Sequence, residues 1–170
     1  MHKRIATFLV AALSTMLIAS TVVAADGPGV LSGLVIDNVK GGATKFSDFV
    51  GKKPMVISFW ATFCKPCKAE MPFLQKLHET YASQGLVVIG ISLDTPETEA
   101  GVRSFIDKNK FTYIQCIDRQ SLATDTLNPK SVLPFLLLVD PKGTIVLTKD
   151  GFTVGDQPGL ESKVKELLKP

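Results

Sequence analysis

Apolar positions along the chain fall into short continuous runs separated by stretches with helical spacing. Residues 55–60 form a near-continuous apolar run after Pro54, the pattern of a central strand covered on both faces. Residues 86–93 repeat that pattern. Between them, residues 65–83 place Phe73, Leu77 and Tyr81 on one helical face with Leu74 beside them. Gly85 stands where this helix should end, and Pro72 inside it removes one backbone hydrogen bond and predicts a kink. Residues 97–109 read as a second helix, 111–117 as a strand of mixed alternation and 121–127 as a short helix. Residues 135–140 and 144–148 flank Pro141-Lys142-Gly143, a hairpin turn, and residues 160–168 close the chain as an amphipathic helix. Near the start, residues 34–36 and 43–46 flank Gly41-Gly42 and predict an opening hairpin, with one helical turn at residues 47–49. Buried strands alternating with helices imply a parallel core, and the late hairpin adds antiparallel strands. The expectation is an α/β fold: a central mixed β-sheet flanked by helices, with an N-terminal hairpin extension.

The first residues carry a different pattern. Lys3 and Arg4 precede an apolar stretch over residues 5–19, and Val23-Ala24-Ala25 offers small residues before Asp26. This is the layout of a secretory signal peptide, and it predicts a leader over residues 1–25 and a domain over 26–170. An uncleaved membrane anchor is the alternative, because residues 5–25 are just long enough to span a bilayer. Ser14, Thr15, Ser20 and Thr21 weaken that reading, and no cysteine follows the apolar run to carry a lipid. Either version places the body of the protein in the periplasm or otherwise outside the cytoplasm. Lys3 and Arg4 also supply most of the net charge of +3, so the body is close to neutral and offers no electrostatic case for nucleic acid.

Three cysteines remain: Cys64, Cys67 and Cys116. One tight pair and one odd residue point to chemistry and away from a disulfide framework. Cys64-Lys65-Pro66-Cys67 sits where an apolar strand turns into a helix. Unpaired N–H groups and the positive end of the helix dipole favour a thiolate there, and the thiolate is the attacking species in disulfide exchange. Two intervening residues put Cys67 one turn on, able to close a ring with Cys64 or to attack a mixed disulfide formed on it. Lys65 adds a positive charge beside the thiolate. The competing reading is half a zinc site, which needs further ligands. His78 lies three turns along the same helix from Cys67, too far to share an ion with it. Haem attachment is excluded because Lys68 follows Cys67.

The segment Ser58-Phe59-Trp60-Ala61-Thr62-Phe63-Cys64-Lys65-Pro66-Cys67-Lys68-Ala69-Glu70-Met71-Pro72 resembles the active-site region of the TlpA/ResA-like branch of the thioredoxin superfamily. Val139-Asp140-Pro141-Lys142-Gly143 also fits, and the likeness runs from about Gly33 onward. The resemblance implies a thioredoxin-like fold and an exported disulfide reductase, in several members serving cytochrome c maturation. It makes Cys64 the exposed nucleophile and Cys67 the buried resolving thiol. It makes Pro134, after Leu133, a cis-proline facing the pair. Glu70, one turn past Cys67, matches an acidic residue kept beside the active site, where it would accept or relay a proton. The alternative for Glu70 is a solvated carboxylate favoured by the helix dipole. Phe63, Lys65, Pro66, Leu133 and Pro134 are the candidate substrate-binding residues. Trp60 joins them as a residue that lines the site or fills the core beneath it.

Three departures from the branch stand out. Phe63 replaces a common Trp, Phe135 follows Pro134 where Thr is common, and Ser58 stands where thioredoxins proper hold a buried Asp. The first two positions bear on the rim of the substrate groove, and the third on the proton acceptor, shifting that role toward Glu70. Cys116 reads as a small buried hydrophobe. No cofactor is implied. The implied partners are disulfide-containing exported proteins and a membrane thiol carrier of DsbD/CcdA type as electron donor, with the protein itself monomeric. Two other functions stay open: a disulfide donor working in the opposite direction, and a copper-binding chaperone, for which His78 is poorly placed. The Pro-x-x-x-Thr-x-x-Cys pattern of peroxidases is absent.

Overall fold

Every residue of the Met55–Trp60 strand is buried, and alternate side chains enter two different cores. A computed structural model describes residues 28–169, so the expected leader lies outside the described residues. The element order is α1 (Pro28–Ser32), β1 (Val35–Asn38), β2 (Ala43–Lys45), β3 (Met55–Trp60), α2 (Lys65–Tyr81), β4 (Val87–Ser92), α3 (Ala100–Asn109), β5 (Ile114–Ile117), α4 (Leu122–Leu127), β6 (Phe135–Val139), β7 (Ile145–Asp150) and α5 (Gln157–Leu167). The strands form one seven-stranded sheet in the order β2-β1-β5-β4-β3-β6-β7. β3, β4 and β5 run parallel, joined by the α2 and α3 crossovers. β6 pairs antiparallel with β3, β7 with β6, and β1 with β5, so the opening hairpin extends the sheet on its other side.

The period of two along β3 sorts its side chains between layers. Val56 and Trp60 pack with α2, α3 and α5, through residues such as Leu74, Val102, Ile106 and Val164. Met55, Ile57 and Phe59 pack on the other face with Leu31 of α1 and with Ala123 and Leu127 of α4. Each such side chain contributes about 1.5–3 kcal/mol by leaving water.

α2 continues through Pro72, then tightens into a 3₁₀ turn, and Gly85 closes it at φ 104°, a conformation that costs a residue without a Cβ least. Two elements begin three residues later than their patterns predict. α3 starts at Ala100, because Thr95 to Glu99 are held in a turn by bonds from the Thr98 and Glu99 N–H groups to the Thr95 carbonyl. β5 starts at Ile114, because the Thr112 N–H is taken by the Gln75 side chain of α2. α1 spans five residues, too few for a period to show.

Candidate active site

β3 delivers the chain to the rim of the sheet, and a buried carboxylate fixes the turn that follows. Asp94 accepts the Thr62 N–H at 2.9 Å and the Ser92 hydroxyl at 2.7 Å, and it also receives the Thr62 hydroxyl. The Cys64 N–H bonds the Ala61 carbonyl at 3.0 Å. Cys64 is then the N-cap of α2, in extended conformation, and its Sγ accepts the Cys67 N–H at 3.2 Å. Pro66 sits in the first turn, where its missing N–H leaves no donor unpaired. Cys64 and Cys67 are joined in a disulfide. Cys64 is 8% exposed and Cys67 is fully buried, so of the pair only the residue at the helix end reaches solvent. When the bond is reduced, a charge on Cys64 lies at the positive end of a 17-residue helix and within reach of its free N–H groups.

The surroundings of Cys64 are open and apolar. Phe63 is 66% exposed. With Leu93, Pro96 and Leu133 it lines a groove of about 450 Å³, whose polar wall includes Asp118 and Ser131. The Leu133–Pro134 bond is cis, and the Pro134 carbonyl accepts the Gly151 N–H at 2.8 Å. The loop before it is clasped by Asn128, whose amide donates to the Val132 carbonyl and accepts the Val132 N–H. Lys65 and Pro66 are exposed on the first turn of α2.

Trp60 does not line this groove. It is 1% exposed, its Nε1 donates to Gln115 at 3.2 Å, and its ring packs against Phe105. Of the two places open to it from the sequence it takes the core beneath the site rather than the substrate-binding groove, because it shares the face of β3 that α2 covers.

Glu70 is equally removed from water, at 1% exposure, and the reading of a solvated carboxylate fails. Its carboxylate accepts the Ser58 hydroxyl at 2.6 Å. Burial raises its pKa from 4.5 to about 7, against the lowering effects of the Ser58 bond and the Lys149 charge. A carboxyl so tuned exchanges a proton near neutral pH. It lies one turn beyond Cys67 on the same face of α2.

A sequence profile of the AhpC/TSA family matches residues 31–148. The chain belongs to the AhpC/TSA family. Within it the likeness is to ResA, as the active-site segment predicts. The thiol-disulfide oxidoreductase ResA of Geobacillus kaustophilus is 32% identical over 111 residues, covering 65% of this chain and 62% of that protein. The ResA of Bacillus thuringiensis subsp. konkukian is 30% identical over 135 residues, 78% of this chain and 73% of that one. The chain thus spans a little under two thirds of the first relative's length. A structure from Chlorobium tepidum assigned as a DsbE thiol:disulfide interchange protein superposes with a TM-score of 0.72 at 23% identity, over 80% of this chain and 93% of that chain, and establishes the thioredoxin-like fold.

Several supporting residues of this AhpC/TSA member were not visible as such in the sequence. Asp94 and Asn128 read as loop residues, yet each closes a backbone turn at the groove. Ser58 read as a lost acid, yet it is the hydrogen-bond partner of Glu70. A signal for Glu70 did exist: at helical spacing it falls in line with Cys67, Leu74, Leu77 and Tyr81, all buried. Cys116 lies fully buried in β5, and burial pushes its thiol up to about 11, so it stays protonated and inert near neutral pH.

Proposed function

We propose that this protein is an extracytoplasmic thiol–disulfide oxidoreductase that reduces disulfides in exported proteins, cytochrome c maturation among its routes. The observation that carries the reading is the Cys64–Cys67 disulfide capping α2, with only Cys64 reaching the surface. In the reduced protein the Cys64 thiolate attacks one sulfur of a substrate disulfide. A Cys64–substrate bond forms and the other substrate sulfur leaves as a thiolate. Cys67 then gives up its proton and attacks Cys64 Sγ, which releases the second substrate thiolate and leaves the protein oxidised. Two electrons have passed to the substrate. A membrane thiol carrier of DsbD/CcdA type restores them. Phe63 and Leu133 form the apolar rim against which the substrate chain lies, and Lys65, Pro66 and Pro134 complete the substrate-binding set.

The opposite direction, disulfide donation, draws support from Lys65 at the head of α2, because a stabilised thiolate makes the disulfide more oxidising. The reduction potential of the Cys64–Cys67 couple decides between the two. The expected value lies near the thioredoxin end, about −270 mV, and far from the about −120 mV of strong oxidants. Equilibration with dithiothreitol or glutathione, quantified by thiol alkylation, gives it. A potential above about −150 mV would make the protein a disulfide donor. Export is tested by intact mass of the protein recovered from the cell envelope. A mass beginning at or near Asp26 is expected, and a full-length mass in the membrane fraction would establish the anchor instead.

A further inference from the structure

Ser58, Gly90 and Gln115 lie abreast on β3, β4 and β5, on neighbouring strands about 4.8 Å apart. Gly90 has no side chain, and the Gln115 amide fills the space above it. A Cβ at Gly90 would stand 2.5 Å from Gln115 Oε1 and 3.2 Å from Nε2. The amide head therefore reaches back across β4 toward Ser58, which holds Glu70. Trp60 Nε1 occupies Gln115 Oε1 and so fixes which way the amide points. Gln115 Nε2 is left buried without a partner. Tyr113, two residues earlier and on the same face, is 1% exposed, and its hydroxyl is likewise unpaired. Burial is the chief cause that pushes the Tyr113 hydroxyl pKa up; the Gln115 amide opposes the rise and the Glu70 charge adds to it. Two buried donors without acceptors thus lie on or next to β5, two strands from Ser58, the only hydrogen-bond donor to the buried Glu70 carboxylate among the described residues. Leaving such donors unpaired costs about 1–3 kcal/mol each, so their retention beside Glu70 calls for a task.

We propose that Tyr113 and Gln115 are positioning residues that hold the ionised Glu70 carboxylate, directly or through one bridging water, so that they act with Ser58 and Glu70 as a single proton-accepting unit behind Cys67. This rests on the oxidoreductase reading in one respect, the identity of the proton donor. When Cys67 attacks Cys64 Sγ, the Cys64–substrate bond breaks, the Cys64–Cys67 bond forms, the substrate sulfur departs with the electron pair, and the Cys67 proton passes to Glu70. Before that step Glu70 must be charged, and the Tyr113 O–H and the Gln115 N–H are the donors that make its charged form tenable in the core. The other groups acting on Glu70 are Ser58 from β3 and Lys149 from β7, with Cys67 one turn away on α2.

The test is a direct titration. Protein labelled with ¹³C at the glutamate side-chain carboxyl is followed by NMR across pH, with the Glu70 signal assigned by its loss in Glu70→Gln. Tyr113→Phe and Gln115→Met are each expected to raise the Glu70 midpoint by about one unit, since each removes a donor to the charged form. The pH profile of disulfide exchange should move the same way. Tyr113→Phe changes one atom and keeps the ring, so it reports even if Gln115→Met disturbs Trp60. A Glu70 midpoint that neither variant moves overturns the proposal. Shifted midpoints in a protein with no exchange activity would uphold it and overturn the oxidoreductase reading instead.

Discussion

Cys67→Ser is expected to accumulate covalent adducts with disulfide-bearing proteins, while Cys64→Ser accumulates almost none, and both lose turnover down to the uncatalysed rate. The asymmetry follows from accessibility and from the helix end together. Cys64 alone keeps an exposed edge, and its sulfur sits where the first turn of α2 offers unpaired N–H groups and a partial positive charge. Cys67 is wholly buried and donates its backbone N–H to Cys64 Sγ, so an incoming disulfide cannot reach it. With Ser at 67 the attack still occurs, but nothing resolves the mixed disulfide. Non-reducing gels of the two variants after exposure to reduced and reoxidised substrate proteins provide the measurement, with adduct identity read by mass spectrometry. Equal trapping by the two variants would sink the division of labour. Cys116→Ala should leave exchange intact, since that thiol is fully buried in β5 and held protonated.

The elements that position these cysteines were legible because they are governed by local rules. Met55–Trp60 and Val87–Ser92 are unbroken apolar runs because each is buried on both faces of a parallel core, and such runs have few other homes. The Cys64 to Cys67 motif announces itself by spacing and by its place between strand and helix. Glu70 was half legible. Its match to the acidic residue kept beside the active site in the branch the chain resembles marked it, but whether a carboxyl early in a helix faces water or core depends on what covers that face, and a single chain pattern left both open. The Ser58 bond to it crosses from β3 to α2 and depends on tertiary packing. The placement of Gln115 was illegible for the same reason. It depends on the register that sets it beside Gly90, and no local signal in residues 111–117 specifies that pairing. Trp60 takes the second of the two places the sequence left open: four positions before Cys64, it fills the core below the site, because the alternation along β3 sends it to the face under α2.

Glu70→Gln is expected to make the oxidised protein gain stability relative to the natural sequence as pH rises, by roughly 3 kcal/mol between pH 4 and pH 8. The folded-state pKa is about 7, raised chiefly by burial above the ordinary 4.5. Below pH 4 both the folded and unfolded forms carry the proton, and the group contributes nothing that depends on pH. Between about 4.5 and 7 the unfolded chain releases its proton while the folded one keeps it. The folded state then binds more protons than the unfolded state, and unfolding becomes easier as pH rises. Above pH 7 both forms are ionised, and the folded protein carries a buried charge whose cost the Ser58 bond, the Lys149 charge and any neighbouring donors offset only in part, since the folded-state pKa stays above 4.5. Glutamine has nearly the same shape and does not titrate, so this whole window disappears in the variant. Urea unfolding of both proteins at several pH values gives the difference directly, with the other titrating groups cancelling between them. A constant difference across pH 4 to 8 would mean that Glu70 titrates as an ordinary carboxylate. It would then have no proton affinity near neutrality with which to serve Cys67.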